Sequence, residues 1–492
     1  MLIKNRSAEK YEGEISRQID LTQSGRRSNG RVSPSVGFMG TSGGFGMTAL
    51  PRLNLALAAL VLAVMSAVGT GPAQAVPLYA RQTGQQCAAC HNGFPELTPY
   101  GRLFKLNGYT FRGGDADLPP LAAMGVVSFT HTDQPQPGGP APHYAANDNP
   151  ALELGSIFYG GAITSNIGAF GQITYDNVVR RLSWDNTDIR WAKAFDLDGS
   201  EMLVGVSANN NPTLSDVWNT TPAFGFPWQS SGLAPGPAAA TLIEGGLAGS
   251  SVGVTAYGYW NRLVYGEFGF YRTLSDRTLT TLGVDPTGSS STKDVAPYWR
   301  FAVEPKWGPH SLEVGTFGIA ASIIPGRVTG FATDHTVDLG VDAQYQYLED
   351  INSISVDASW ITENNSLTSS AAQGLASNPR DHLRSLHVKT SYYYKQTWGG
   401  TVGYFRIDGS GDADLWGPTS ITNSPNSAGW IGEADYIPFN YGGPSFWPWL
   451  NMKLALQFVH YDKFNGSNTN YDGAGTPASA NDTLYAFCWF AF

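Results

Sequence analysis

From about residue 122 onward, apolar and polar residues alternate with a period of two, the spacing of half-buried β-strands. Val337, Leu339, Val341, Ala343, Tyr345 and Tyr347 alternate with Asp338, Gly340, Asp342, Gln344 and Gln346. Ile354, Val356, Ala358 and Trp360 alternate with Ser355, Asp357 and Ser359, and Leu386, Val388, Thr390 and Tyr392 with His387, Lys389 and Ser391. One face of each segment is apolar and the other polar, the pattern of strands with lipid on one side and a wet lumen on the other. A soluble β-sandwich also alternates, but seldom needs so many long strands joined by so few residues. The last segment, Leu484 to Phe492, places Leu484, Ala486, Cys488, Phe490 and Phe492 on one face and ends on an aromatic residue. Such an ending resembles the C-terminal signal of outer-membrane barrels, with Cys488 facing lipid.

About seventeen segments qualify as strands, and bacterial barrels have an even number, short periplasmic turns and longer outside loops. Counting back from a periplasmic Phe492, the connections 464–480, 410–427, 365–381, 326–335 and 275–294 fall outside. The tight links near Trp398, Asp350, Pro309 and Asn261 fall inside, with 439–448 a longer periplasmic link. The pattern holds upstream if the weak segment 239–248 belongs to a loop. The expectation is therefore an all-β, 16-stranded antiparallel transmembrane barrel over residues 121–492. Its third outside loop, 211–250, is the longest and is expected to fold into the lumen. Asp338, Asp342, Asp357, His387 and Lys389 would line that lumen, where ordinary solvation is their simplest role.

Composition fits this picture. Charged residues are only 14% of the chain, against roughly 25% in typical soluble domains. The formal charge of −10 leaves no basic excess, so nucleic acid is not an expected partner. With 3 cysteines in 492 residues a disulfide framework is excluded. The apolar run Leu53 to Val68 follows Arg52 and precedes Ala73-Gln74-Ala75. It is short for a spanning helix, which needs about 20 residues, and reads as a signal peptide cleaved after Ala75. Met47 would begin a signal of ordinary length, making 1–46 an upstream extension.

Shortly after that site comes Cys87-Ala88-Ala89-Cys90-His91, the C-x-x-C-H attachment sequence for c-type haem. Two thiols at this spacing reach the two vinyl groups of one porphyrin, and the adjacent imidazole ligates the iron. A thioredoxin-like pair would want a βαβ setting, and a zinc site two further ligands at short spacing; neither is visible. One haem c is expected on Cys87 and Cys90, with His91 as proximal ligand, in a segment spanning 76–120. The sixth ligand stays open among Met124, His131 and His143, the nearest candidates in sequence.

The stretch Ala80 to His91, followed by Phe94 to Thr110, resembles the fused monohaem cytochrome–porins of the outer membrane, whose best-known members are Fe(II) oxidases. A second stretch, Asn209 to Pro227, is similar to the same family. The resemblance implies an electron conduit across the bacterial outer membrane. The strand count runs the first strand upward from the periplasm, which puts the haem segment at the periplasmic side or within the lumen. Extracellular Fe(II) or a similar reductant would be oxidised, and a periplasmic cytochrome c or cupredoxin would carry the electron away. The alternative is a solute porin whose haem segment acts as a plug or sensor.

Overall fold

The computed structural model describes residues 78–114, 120–221 and 225–492. The signal peptide and upstream extension expected at 1–75 lie outside the described residues. The first strands are β1 Leu121–Thr132, β2 Asn149–Ala162, β3 Ile167–Asp176, β4 Arg181–Leu197, β5 Ser200–Asn209 and β6 Ser251–Trp260. β7 Val264–Thr273, β8 Ala296–Val303, β9 His310–Ile324, β10 Asp334–Leu348 and β11 Asn352–Ser366 follow. The circuit ends with β12 Arg380–Tyr394, β13 Trp398–Gly409, β14 Ser427–Tyr436, β15 Asn451–Lys463 and β16 Thr483–Ala491. Each pairs antiparallel with its chain neighbours, and β16 closes on β1 through Tyr485–Thr130 and Trp489–Val126. The sheet counts 18 segments, of which Ser291–Thr292 and Lys306–Trp307 are two-residue additions at the ends of β9. Removing those two leaves the sixteen strands expected from parity. A closed ring has no free edge, so every strand finds its backbone partners inside the membrane.

The alternation explains which way each face turns. In β10, Leu339 and Val341 are 51% and 53% exposed, while Asp338 and Asp342, which flank them, are 0% and 5% exposed. The apolar face points out and the polar face points in, as a transmembrane barrel of the outer-membrane type requires. Trp260, Trp307, Tyr394 and Trp398 stand exposed next to the short turns, forming an aromatic girdle at that end. Cys488 shares the outward face of β16 with exposed Leu484.

The two ends differ as the sequence predicts. Tight connections lie at 163–166, 198–199, 261–263, 349–351 and 395–397, with a longer one at 437–450. Apart from the short link 177–180, the opposite end carries the long connections, of which 210–250 is the longest and the third in order at that end. The segment 239–248 is not a strand: it holds a single 3-10 turn, Leu242–Glu244, within that loop.

This third loop folds into the lumen. Val217 and Trp218 are fully buried in one core cluster with Leu106 of the N-terminal segment and with Tyr257, Tyr259, Tyr265 and Ala302 of the wall. Ile243 and Leu247 pack against Tyr271, Tyr298, Phe317 and Ile361. Asp216 caps the loop from within, accepting from the amides of Trp218 at 2.9 Å and Thr221 at 2.8 Å. The Arg300 guanidinium reaches Asp216 (3.5 Å), Glu313 (3.3 Å) and Asp342, and stacks over Trp218 at 4.9 Å.

Candidate functional site

The N-terminal segment fills the lumen near the short turns. It comprises α1 (Leu78–Thr83), α2 (Cys87–Cys90) and α3 (Pro99–Leu106), with a minimal hairpin pairing His91–Asn92 to Glu96–Leu97. Thr98 starts α3: its hydroxyl accepts from Gly101 N, and Pro99 takes the first helical position, where no amide is needed. The same residue ties α3 to α2, since Thr98 Oγ1 donates to Ala89 O at 2.7 Å and Thr98 N to Cys90 O at 2.9 Å. Gly101 permits the approach, because a Cβ there would lie 2.2 Å from Cys90 O. Gly93 has φ +73° and rests on the Tyr393 ring, 1.9 Å from where a Cβ would stand, so no other residue fits the turn after His91.

Buried polar bonds fix this segment to the wall. Gly93 N donates to Gln396 Oε1 at 2.7 Å, and Ser353 Oγ to Asn92 Oδ1 at 2.7 Å. Lys389 Nζ bonds Glu96 and sits 2.8 Å from Asp357. Arg102 pairs with Glu304 at 2.6 Å and donates to Gln344 and Gln346 at 2.8 Å and 3.0 Å. Burial would push the Glu96 carboxyl up, but the Lys389 ammonium holds it below the usual carboxylate range. The third loop joins in through Asn219 Oδ1, which accepts from Leu97 N at 3.3 Å. The two stretches that carry the family resemblance therefore meet inside the barrel.

The lumen-facing charges Asp338, Asp342, Asp357, His387 and Lys389 all point inward, but they are not simply solvated. Asp338 accepts from Ile243 N at 2.7 Å, His387 Nε2 lies 3.1 Å from Glu244, and the other three pair as described above. Filling the lumen converts would-be selectivity groups into anchors for the loop and the segment. Their partners Glu96 and Arg300, and the separate anchor Arg102, were not singled out by sequence. A charged residue amid the apolar segment Pro99–Leu106 is the signal that could have flagged Arg102.

Cys87, Cys90 and His91 all face one cavity of about 920 Å³. His91 Nδ1 is 2.8 Å from Pro95 O. A carbonyl only accepts, so Nδ1 carries the proton and Nε2 is left with its lone pair, the form that binds a metal. Burial draws the His91 imidazole below its ordinary value, favouring that neutral form. Burial and the neighbouring Cys87 push the Cys90 thiol up to about 12, unlike the lowered thiols of dithiol redox pairs. Phe94, packed edge-on to His91 at 5.4 Å and to Trp489 at 5.0 Å, supplies an apolar wall. The volume lies within the range of cofactor pockets, about 300–1,000 Å³. Thiols, a metal-ready imidazole and aromatic walls fit a c-type haem.

Of the sixth-ligand candidates, Met124 faces this cavity. His131 does not: it falls on the outward face shared by Val127 and Phe129, at the far end of β1, where it pairs with Asp148 at 2.7 Å. His143 lies in the loop 133–148 with φ +76°. Among the described residues no three His, Cys, Asp or Glu side chains gather as a metal site.

No family model matches the sequence, and no curated protein matches it. The solved structures it is similar to include Salmonella typhi OmpF in complex with daunomycin, at 11% identity and TM-score 0.42, covering 76% of this chain and 97% of that one. The outer membrane channel DcaP of Acinetobacter baumannii is similar at 11% identity and TM-score 0.41, covering 76% and 96%. An anion-selective porin from Comamonas acidovorans stands at 11% and 0.39, covering 76% and 99%.

Proposed function

We propose that the chain is an outer-membrane electron conduit that carries one c-type haem inside its barrel and passes electrons from an external reductant such as Fe(II) to a periplasmic cytochrome c or cupredoxin. The observation that carries this reading is the single cavity faced by Cys87, Cys90 and His91. A haem supplies one-electron redox chemistry, its potential tuned by axial ligand, burial and hydrogen bonding. Cys87 and Cys90 would hold it by thioethers and His91 Nε2 would bind its iron, with Pro95 O fixing the imidazole through Nδ1. Met124 would be available as the sixth ligand, since it lines the cavity that His131 and His143 do not line. A Met/His pair raises the potential relative to two imidazoles, as a donor such as Fe(II) demands. The periplasmic side corresponds to the short-turn end, where the segment and its thiols are held.

Stopped-flow mixing of the purified protein with Fe(II) tests the reading. The haem spectrum is expected to shift to the reduced form, and no reduction at any pH would sink it.

A second reading is a solute porin with a haem-bearing plug or sensor, and the closed porin-type barrel with an infolded third loop is the observation in its favour. Swelling of protein-loaded liposomes in sugars would speak for it. The buried packing of loop and segment across the lumen predicts little swelling.

A further inference from the structure

The cavity that meets the thiols does not end beside them. It runs along the inner face of β3 and β4 to Asp176, Arg181 and Asp285, at the rim among the long loops. Midway along β3 it passes an irregularity in the wall. The β3–β4 ladder pairs Ile173 with Trp184 and Gly171 with Thr187, so Gln172 alone opposes both Asp185 and Asn186. Strict alternation would send one of those two side chains into lipid. The bulge turns both into the cavity, the re-aiming that bulges perform near functional sites.

The third loop braces this bulge. Thr187 N donates to Asn210 Oδ1 at 2.7 Å, Asn210 N donates to Thr187 O at 3.2 Å, and Asn210 Nδ2 donates to Asp185 O. The Asp185 carboxylate is half-buried and accepts from Thr174 Oγ1 at 2.7 Å and Asn186 Nδ2 at 2.8 Å. Among the described residues no cationic side chain lies within ion-pair reach of it. At the rim, by contrast, Arg181 is matched by Asp285 at 2.9 Å. Lys105 lies at the deep end with the thiols, where burial lowers its amine to about 8. A negative group without a counter-charge lining a cavity concentrates cations and repels anions.

We propose that this cavity is an access route from the long-loop side, and that Asp185, set into it by the bulge, selects small hydrated cations over anions. The inference deepens the electron-conduit reading, on which it rests only for what the cation meets at the deep end. It restricts the donor to a small solute, excluding a protein surface or a solid.

The test uses the full chain in intact cells. Ser183→Cys, on the rim side of Asp185, and Gln172→Cys, opposite the bulge, are labelled with membrane-impermeant cationic and anionic thiosulfonates of similar size. The parent chain, with lipid-facing Cys488, gives the background. At Gln172→Cys the cationic reagent is expected to react about tenfold faster than the anionic one. Adding Asp185→Asn should bring that ratio close to one while leaving Ser183→Cys accessible. No labelling at either position, or equal rates for both charges with Asp185 present, would overturn the proposal. Labelling does not depend on the haem. A normal haem spectrum without labelling defeats the route alone, and rapid labelling without haem defeats the conduit reading alone.

Discussion

Two bodies fill the lumen, and they are held by differently balanced charges. At the short-turn end the N-terminal segment is fixed by Lys389 and Arg102 against Glu96, Asp357 and Glu304. Beside it, at mid-barrel, the third loop meets one guanidinium, Arg300, facing Asp216, Glu313 and Asp342. The segment has near-equal numbers of opposite charges and several neutral bonds in support. The loop's buried carboxylate Asp216 faces one cation, Arg300, which stacks on Trp218 and on Phe317 of the wall. Buried pairs contribute little net stability but are costly to break, since the group left behind is a buried charge without a partner. The segment should therefore be the sturdier plug, and the loop the element whose largest charged cluster rests on one side chain.

Arg300→Met attacks this difference most strongly. It leaves three buried carboxylates without their cation, at a cost of about 3–5 kcal/mol or more. The third loop should become sensitive to protease while the segment stays protected, and conductance in planar bilayers should rise. Release of both bodies together would break the distinction. Lys389→Met should act first on the segment, costing about 3–5 kcal/mol by stranding Glu96 and Asp357, and should expose the segment ahead of the loop. The wild-type anchor also has a pH signature. Because Glu96 is held below its unfolded value, its contribution is fully present above the ordinary carboxylate range near pH 4.3 and is lost as pH falls through the lower folded value. Protease protection of the segment should thus persist to mild acidity and fail only in stronger acid. The smallest effect concerns Lys105. As pH rises past about 8 its amine loses its charge, which favours the oxidised haem, so the potential should fall by less than about 60 mV, a tenfold change for one electron. Lys105→Met should remove that dependence in spectroelectrochemistry.

The wall was legible because lipid and lumen impose a strict period of two on every strand. Parity and loop lengths then fixed the strand number and singled out the long third loop. The thiols and imidazole were legible as a C-x-x-C-H spacing, and all three line one cavity. The pairs that join the parts were not, since Glu96 and Lys389, or Gly93 and Tyr393, lie some 300 residues apart and each looks ordinary alone. Asp185 escaped for the opposite reason: a bulge breaks the alternation that made the rest readable. Among the ligand candidates, nearness in sequence ranked His131 with Met124. A strand separates them by face and by end, and only the methionine is turned toward the cavity.

The most direct measurement is the intact mass and haemochrome spectrum of the chain isolated from outer membranes. One haem per chain is expected, retained through denaturation and lost from Cys87→Ala and Cys90→Ala combined. A chain at its plain polypeptide mass, or haem that washes out on unfolding, would contradict it.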